Sequence, residues 1–362
     1  MKLMNLIGIL VNTIPGIEDV AASEVAEILG RRRCFRIVQR PYGLGGKVII
    51  EGELAFEDGK TLISKGRSLE KVIALLKIAR VGRDRDALRT IYEEAKEIPW
   101  EGCTTPFSRI AVRAQREGRH EYTSVDVARV VGQAILDRVK SIYGIRPPVD
   151  LRSPTLVVYS EVVGDRLILG IDLTGGHALH ERNYRAFVHP AALRPTVAYA
   201  LLRIAGVKEG DVILDPMCGS GTILIEAALS FERVKLYGMD INPDFIDGAR
   251  RSALMAGVLS RIEFRVGDAR EIDEEFQDME FDHIITNPPY GVRMRPLEVN
   301  ELYKSFIQSA TRVLRRGGKL TIITLKYRLA KRFAQKAGLT LVHERSIYLG
   351  GLQPHILVFI KR

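Results

Sequence analysis

Apolar and polar positions along the chain predict two differently patterned halves. The stretch 3–11 is a short apolar run and 48–53 is another, so both read as strands. The residues 17–29 between them place apolar side chains at helical spacing. The pattern then predicts helices over 68–81, 86–97 and 124–143, and strands over 109–113, 155–163 and 166–172. Ser124 is the expected N-cap of the third helix and Gly144 its stop, while the prolines of Ile145-Arg-Pro-Pro-Val149 exclude helix there. From about residue 211 the pattern becomes regular. Strands at 212–215, 235–240, 262–266, 283–286, 319–325 and 356–360 enclose helices at 222–230, 243–256 and 300–315. Strands alternating with helices of this length predict βαβ units and a parallel sheet, hence an α/β fold behind an α+β first half. The polar, aperiodic stretch 175–188 reads as the linker.

Composition narrows the class. A hydrophobic share of 46% and a charged share of 27% are those of a globular protein and exclude global disorder. No apolar run approaches the roughly 18 residues of a membrane span, and the opening has no small-residue cleavage site, so it reads as a first strand. Cys34, Cys103 and Cys218 are scattered and form no C-x-x-C pair, which argues against a disulfide framework or zinc site and for a reducing, cytoplasmic setting. His177 and His180 have ligand spacing but no third ligand nearby, so no metal is expected. Trp100 reads as core.

The net charge of +10 is unevenly placed. Residues 61–150 carry 17 basic and 12 acidic side chains, 186–290 carry 10 and 17, and 291–362 carry 15 and 3. An uncompensated basic segment fits a polyanion better than a solvated helix face. Arg312, Arg315, Arg316, Lys319, Lys326, Arg328, Lys331, Arg332 and Lys336 are therefore expected to contact nucleic acid.

Chemistry concentrates at the ends of the later strands. Ile213-Leu-Asp215 runs into the small-residue turn Pro-Met-Cys218-Gly219-Ser-Gly221 and then a helix from Thr222. Glycines there let a ligand approach the backbone, and the helix start offers unpaired N–H groups. The next strand ends in Asp240, suited to accept hydrogen bonds from a ribose diol, and the one after in Gly267-Asp268-Ala269. The fourth ends in Asn287-Pro288-Pro289-Tyr290. The Asn287 side-chain carbonyl and the Pro288 backbone carbonyl could accept both N–H groups of an exocyclic amine, drawing its nitrogen towards tetrahedral geometry. The prolines hold those carbonyls rigid without adding donors, and Tyr290 could stack on an extruded base. Each acid alone is an ordinary cap or loop residue. Several at strand ends of one sheet are not.

Together, Asp215-Pro-Met-Cys-Gly-Ser-Gly221, Asp240-Ile241-Asn242, Gly267-Asp-Ala269 and Asn287-Pro-Pro-Tyr290 resemble the motifs of Rossmann-fold S-adenosylmethionine-dependent amino-methyltransferases. Upstream, 108–126 and 149–173 resemble the THUMP domain, an RNA-binding module. The layout is similar to RNA guanine-N2 methyltransferases, closest to those acting on guanosine-6 of tRNA. The resemblance implies an N-terminal ferredoxin-like domain over 1–60, a THUMP domain over 61–174, a linker over 175–188 and a Rossmann-like methyltransferase domain over 189–362. The last is expected to hold a mostly parallel, seven-stranded sheet.

Carried over, the resemblance gives S-adenosyl-L-methionine as cofactor and tRNA, at its acceptor stem, as partner of a monomer. It implies that Asp215, Cys218, Gly219, Gly221 and Thr222 surround the methionine part and that Asp240 and Ile241 meet the ribose. Asp268 and Ala269 would meet the adenine, and His189-Pro190-Ala191 would line the pocket. Asn287, Pro288, Pro289 and Tyr290 would hold the target guanine, with Asn287 also beside the cofactor. Arg113, Arg116, Arg119, His120, Arg293, Arg295, Lys326 and Arg328 are the RNA-binding candidates. No cysteine lies within 287–290, which disfavours methylation of a ring carbon through a nucleophilic thiol. Adenine-N6 methylation, guanine-N2 methylation elsewhere in tRNA or in rRNA, and a non-catalytic RNA-binding module with a relic pocket remain as alternatives.

Overall fold

The computed structural model describes residues 5–30, 34–187, 192–290 and 295–362. Packing divides the chain into two compact units. One holds the residues through Thr13 with Ala21–Leu179, the other Ile14–Val20 with His180–Arg362. The expected sites His189, Pro190, Ala191 and Arg293 lie outside the described residues.

The first unit contains β1 (Gly8–Asn12), most of α1 (Glu18–Leu29), β2 (Phe35–Gln39), β3 (Lys47–Gly52), α2 (Phe56–Lys65) and β4 (Lys71–Arg80). It continues through α3 (Ala87–Glu97), β5 (Ile110–Glu117), α4 (Ser124–Tyr143), β6 (Leu156–Val163) and β7 (Arg166–Asp172). Its seven strands form one sheet in the order β2-β3-β1-β4-β7-β6-β5, in which only β5 and β6 pair in parallel. The helix expected over 68–81 is instead β4, the middle strand of this sheet. Val72, Ile73, Ala74 and Leu75 are almost fully buried, facing α1 and α2 or α3 and α4 on one side and the Leu10–Tyr159 cluster on the other. A strand covered on both faces loses its alternation and looks like a buried helix in sequence. Because β4 pairs with both β1 and β7, the sheet runs without a break past residue 60.

Thr123, not Ser124, caps α4. Its hydroxyl accepts from Asp126 N at 3.2 Å while the Asp126 carboxylate accepts from Thr123 N at 2.9 Å, a reciprocal pair that the Thr-x-x-Asp spacing permits. Trp100 is fully buried and donates to Ala95 O at 2.7 Å.

The second unit contains α5 (Pro195–Ala205), β8 (Val212–Asp215), α6 (Thr222–Ser230), β9 (Lys235–Asp240), α7 (Pro243–Met255) and β10 (Ile262–Val266). It then runs α8 (Ile272–Glu275), β11 (Phe281–Thr286), α9 (Pro296–Val313), β12 (Leu314–Thr324), α10 (Tyr327–Lys336), β13 (Leu339–Ser346) and β14 (His355–Lys361). Strand order is β10-β9-β8-β11-β12-β14-β13. The first five strands are parallel, and β14 and β13 are antiparallel to their neighbours, so the expected mostly parallel sheet carries an antiparallel edge. Adjacent residues face opposite layers: Ile213, Ile285, Ile323 and Ile356 pack towards α5–α7, while Leu214, Ile284, Ile322 and Leu357 pack towards α8–α10. Ile14, Ile17 and Val20 join the first of these cores. Within the expected linker, Tyr184 is buried and donates to Glu226 Oε1 at 2.7 Å, as part of this unit. Among the described residues, no helix is long and apolar enough to cross a membrane.

Candidate active site

The chain runs β8, β9, β10 in one direction across the sheet and β11, β12 in the other, so the order reverses between β8 and β11. Crevices at such a reversal, beyond the carboxyl ends of the strands, are where open α/β sheets bind ligands. Asp215 ends β8, and Asn287 follows the last residue of β11. A cavity of about 660 Å³ opens there, and its wall includes Asp215, Cys218, Gly219, Thr222, Asp240, Ile241, Asp268, Ala269 and the whole turn Asn287-Pro288-Pro289-Tyr290.

Backbone hydrogen bonds shape the cofactor-side loop. Gly219 N donates to Asp240 Oδ2 at 2.9 Å, Asn242 N to Asp240 Oδ1 at 3.0 Å, and Cys218 N to Met239 O at 2.9 Å. These tie the loop after β8 to the end of β9 and orient the Asp240 carboxylate. Gly219 has φ +52° and a Cβ built there would meet no atom within 4 Å. Gly221, expected beside the cofactor, is not on the wall. With φ +73° it turns the chain into α6, and a Cβ there would press on Ala249 and Phe264 at 3.2 and 3.3 Å.

Electrostatics differ among the three acids. Burial pushes the Asp215 carboxyl up to about 7, and the Asp240 charge adds to the shift. The Arg270 guanidinium holds Asp268 below the ordinary carboxylate range, with Arg270 Nε 2.9 Å from Asp268 Oδ2. Burial also pushes the Cys218 thiol well up, so it sits there as a neutral, space-filling group.

The residues fit S-adenosyl-L-methionine. The cradle at Gly219 admits backbone approach, Asp215 and Asp240 are acceptors for a ligand that carries ammonium and sulfonium charge, and Leu193, Ile223, Phe245 and Ala269 give the wall apolar surface. Phe245, Arg270, Glu298, Glu301 and Leu302 were not legible as wall residues. Phe245 sits in the first turn of the helix behind Asp240-Ile-Asn242, a position that could have been inferred. The α9 residues carry no local signal.

On the substrate side the Tyr290 hydroxyl donates to Asn287 Oδ1 at 2.7 Å, and burial pushes its phenol up to about 12. Pro288 is buried and Pro289 exposed.

The basic candidates divide. Arg312 pairs with Asp273 at 2.6 Å, Arg315 with Asp282, and Lys331 with Glu344 at 3.0 Å. Lys319 donates to Ala205 O at 2.7 Å and Arg332 to Asn300 Oδ1 at 3.0 Å. The charge count therefore overstated the free cations. Lys326 and Arg328 are exposed at the start of α10, and Arg295 is exposed just before α9. In the first unit Arg113 donates to Leu151 O at 2.7 Å. Arg116 donates to Gly118 O at 3.1 Å and to His120 Nδ1 at 3.0 Å, which leaves His120 Nε2–H for Gly164 O at 2.6 Å. Arg119 is exposed.

Comparisons with known proteins agree with this architecture. A THUMP domain model matches residues 86–172 and an RMKL-like methyltransferase domain model residues 182–355. A tRNA (guanine(6)-N2)-methyltransferase of Archaeoglobus fulgidus is 38% identical, covering 96% of this chain and 90% of the relative. The protein of that name from Methanocaldococcus jannaschii is 32% identical over 94% and 97%. The crystal structure of TrmN from Thermus thermophilus superposes with a TM-score of 0.83 at 31% identity, covering 98% of this chain and 99% of that one. The chain belongs to the family of THUMP-containing, S-adenosyl-L-methionine-dependent methyltransferases that includes the tRNA (guanine(6)-N2)-methyltransferases.

Proposed function

We propose that this protein methylates the exocyclic N2 amine of a guanosine in tRNA, guanosine 6 of the acceptor stem, acting as a cytoplasmic monomer without a metal. The observation that carries the reading is the rigid Asn287–Tyr290 turn on the same cavity wall as Asp215, Asp240 and Gly219. The activity for which the relatives are named supports the choice of amine and nucleotide.

In this reading Asp240 accepts the ribose hydroxyls. Asp215 and the Gly219 cradle receive the methionine part, and Asp268 and Ala269 border the adenine. Bound there, S-adenosyl-L-methionine would supply an electrophilic methyl group, the bonding pair to carbon staying on sulfur while the nitrogen lone pair takes its place. Asn287 Oδ1 and Pro288 O accept the two N–H groups of the amine, which frees its lone pair from the ring and aims it in line. Positioning and polarisation drive the step. The surplus proton is strongly acidic after transfer and leaves to solvent, so no strong base is required. Tyr290 stacks on the extruded base. Arg113, Arg116, Arg119 and His120 hold the acceptor end of the tRNA.

Incubation with radiolabelled cofactor and total tRNA, followed by nuclease mapping, tests the proposal. Label in N2-methylguanosine at position 6 is expected. Label in N6-methyladenosine, or at another guanosine, would replace it with a competing reading.

A further inference from the structure

We infer that Tyr327, His355, Lys326 and Arg328 form a second nucleotide subsite, which grips the RNA strand beside the guanosine being methylated. This rests on the RNA methyltransferase reading above. The Tyr327 and His355 rings stack with centroids 3.8 Å apart and planes 11° from parallel. Glu344 fixes the pair from behind. Its Oε1 accepts from His355 Nδ1 at 3.1 Å, and both its oxygens lie 3.0 Å from Lys331 Nζ. Lys331 Nζ in turn stands 5.3 Å from the Tyr327 ring centroid. The acid thus neutralises Lys331 and holds the imidazole plane. Lys326 and Arg328 have no acidic partner among the described residues, so the local charge beside the aromatic pair is positive.

The subsite shares the rim of the sheet with the Asn287 turn. Thr324, at the carboxyl end of β12, pairs with His355 at the start of β14, and Lys326 N caps back onto Thr324 Oγ1 at 2.8 Å. Strand β12 lies between β11 and β14, which puts His355 two strand spacings, about 10 Å, from the strand that ends at Thr286, just before Asn287. Tyr303, fully buried, shares a 2.7 Å hydrogen bond with Thr324 Oγ1 at that strand end. A planar aromatic surface flanked by free cations suits a nucleotide, because bases stack irrespective of sequence and phosphates neutralise the charge. An extruded guanosine necessarily brings its neighbours close, and their strand is the occupant this rim fits. His355 Nδ1 is committed to Glu344, whereas Nε2 makes no hydrogen bond to another described residue.

The test is tRNA binding by fluorescence anisotropy for the full chain and for Tyr327→Leu, His355→Ala and the Lys326→Glu/Arg328→Glu double variant. It is combined with photo-crosslinking from 4-thiouridine placed next to the target nucleotide. Expected are a rise in Kd of about tenfold for each variant, unchanged S-adenosylmethionine affinity by calorimetry, an effect on KM larger than on kcat, and a crosslinked peptide containing Tyr327 or His355. If Tyr327→Leu fails to fold, the exposed double variant decides. Binding within twofold of the parent for the folded variants, or a crosslink confined to other peptides, would overturn the subsite. A parent protein that yields the crosslink but no N2-methylguanosine would instead overturn the reaction proposed above and leave the subsite standing.

Discussion

The Tyr290 hydroxyl donates a 2.7 Å hydrogen bond to Asn287 Oδ1, so the acceptor assigned to the target amine already carries one donor. A carbonyl oxygen has two lone pairs, so Asn287 Oδ1 has the capacity to accept from a substrate N–H as well as from Tyr290. The bond also fixes which way the amide points, since a donor on Oδ1 places Nδ2 on the far side. Tyr290 therefore has two separable contributions, a ring that stacks and a hydroxyl that orients Asn287. Tyr290→Phe should keep the first and lose the second. A fall in kcat of about three- to tenfold is expected, corresponding to a net hydrogen bond of about 1 kcal/mol, whereas Tyr290→Ala should abolish measurable turnover. Equal losses in the two variants by steady-state kinetics would contradict the division.

Gly219 and Gly221 are two residues apart and should fail differently. Both occupy the left-handed region, so an alanine at either costs about 1 kcal/mol in backbone strain. At Gly221 the added Cβ also crowds Ala249 and Phe264, so Gly221→Ala should lower the melting temperature further. At Gly219 the methyl group enters the cavity side of the loop, so Gly219→Ala should weaken cofactor binding more than it lowers melting. Calorimetry and thermal melts on both variants check the contrast.

Asp240 takes two backbone N–H groups on its two oxygens. Asp240→Asn replaces one of those acceptors with an amide donor that opposes an N–H, and removes the charge that would meet the ribose. A rise in cofactor Kd of at least tenfold is expected from hydrogen bonds to a charged group at about 1.5–3 kcal/mol each. Calorimetric affinity within threefold of the parent would remove Asp240 from the site.

Burial raises the Asp215 carboxyl in the folded protein from 3.8 to about 7. A raised folded pKa contributes stability that is complete below the unfolded value and is lost as pH rises through the folded one. The window is therefore about pH 4 to 7, with up to about 4 kcal/mol at stake. The cofactor-free protein should melt progressively lower across this window, and Asp215→Asn should flatten the profile. A cationic ligand favours the carboxylate, so cofactor binding near pH 6.5 should release a proton, seen as a binding enthalpy that varies with the ionisation enthalpy of the buffer.

The strand ends were legible because each combines an apolar run with an abrupt polar stop. Asp215, Asp240, Asp268 and Asn287 fall where β8, β9, β10 and β11 run out, and all four reach one cavity. Elements lacking that contrast were not read. Strand β4 is buried on both faces and imitates a helix, while α10 buries only Ala330, Phe333 and Ala334 amid four cations. Contacts distant in sequence were invisible for a different reason. Nothing local to Arg312 announces Asp273. The packing of Ile14, Ile17 and Val20 into the methyltransferase core likewise depends on residues more than a hundred positions away.

The most direct measurement of the central claim is the single-turnover rate of Asn287→Ala at saturating tRNA, taken together with its calorimetric affinity for S-adenosylmethionine. If Asn287 holds the target amine, methyl transfer should fall by at least a thousandfold while cofactor Kd stays within about threefold. Transfer at near the parent rate, or cofactor binding lost in step with turnover, would contradict it.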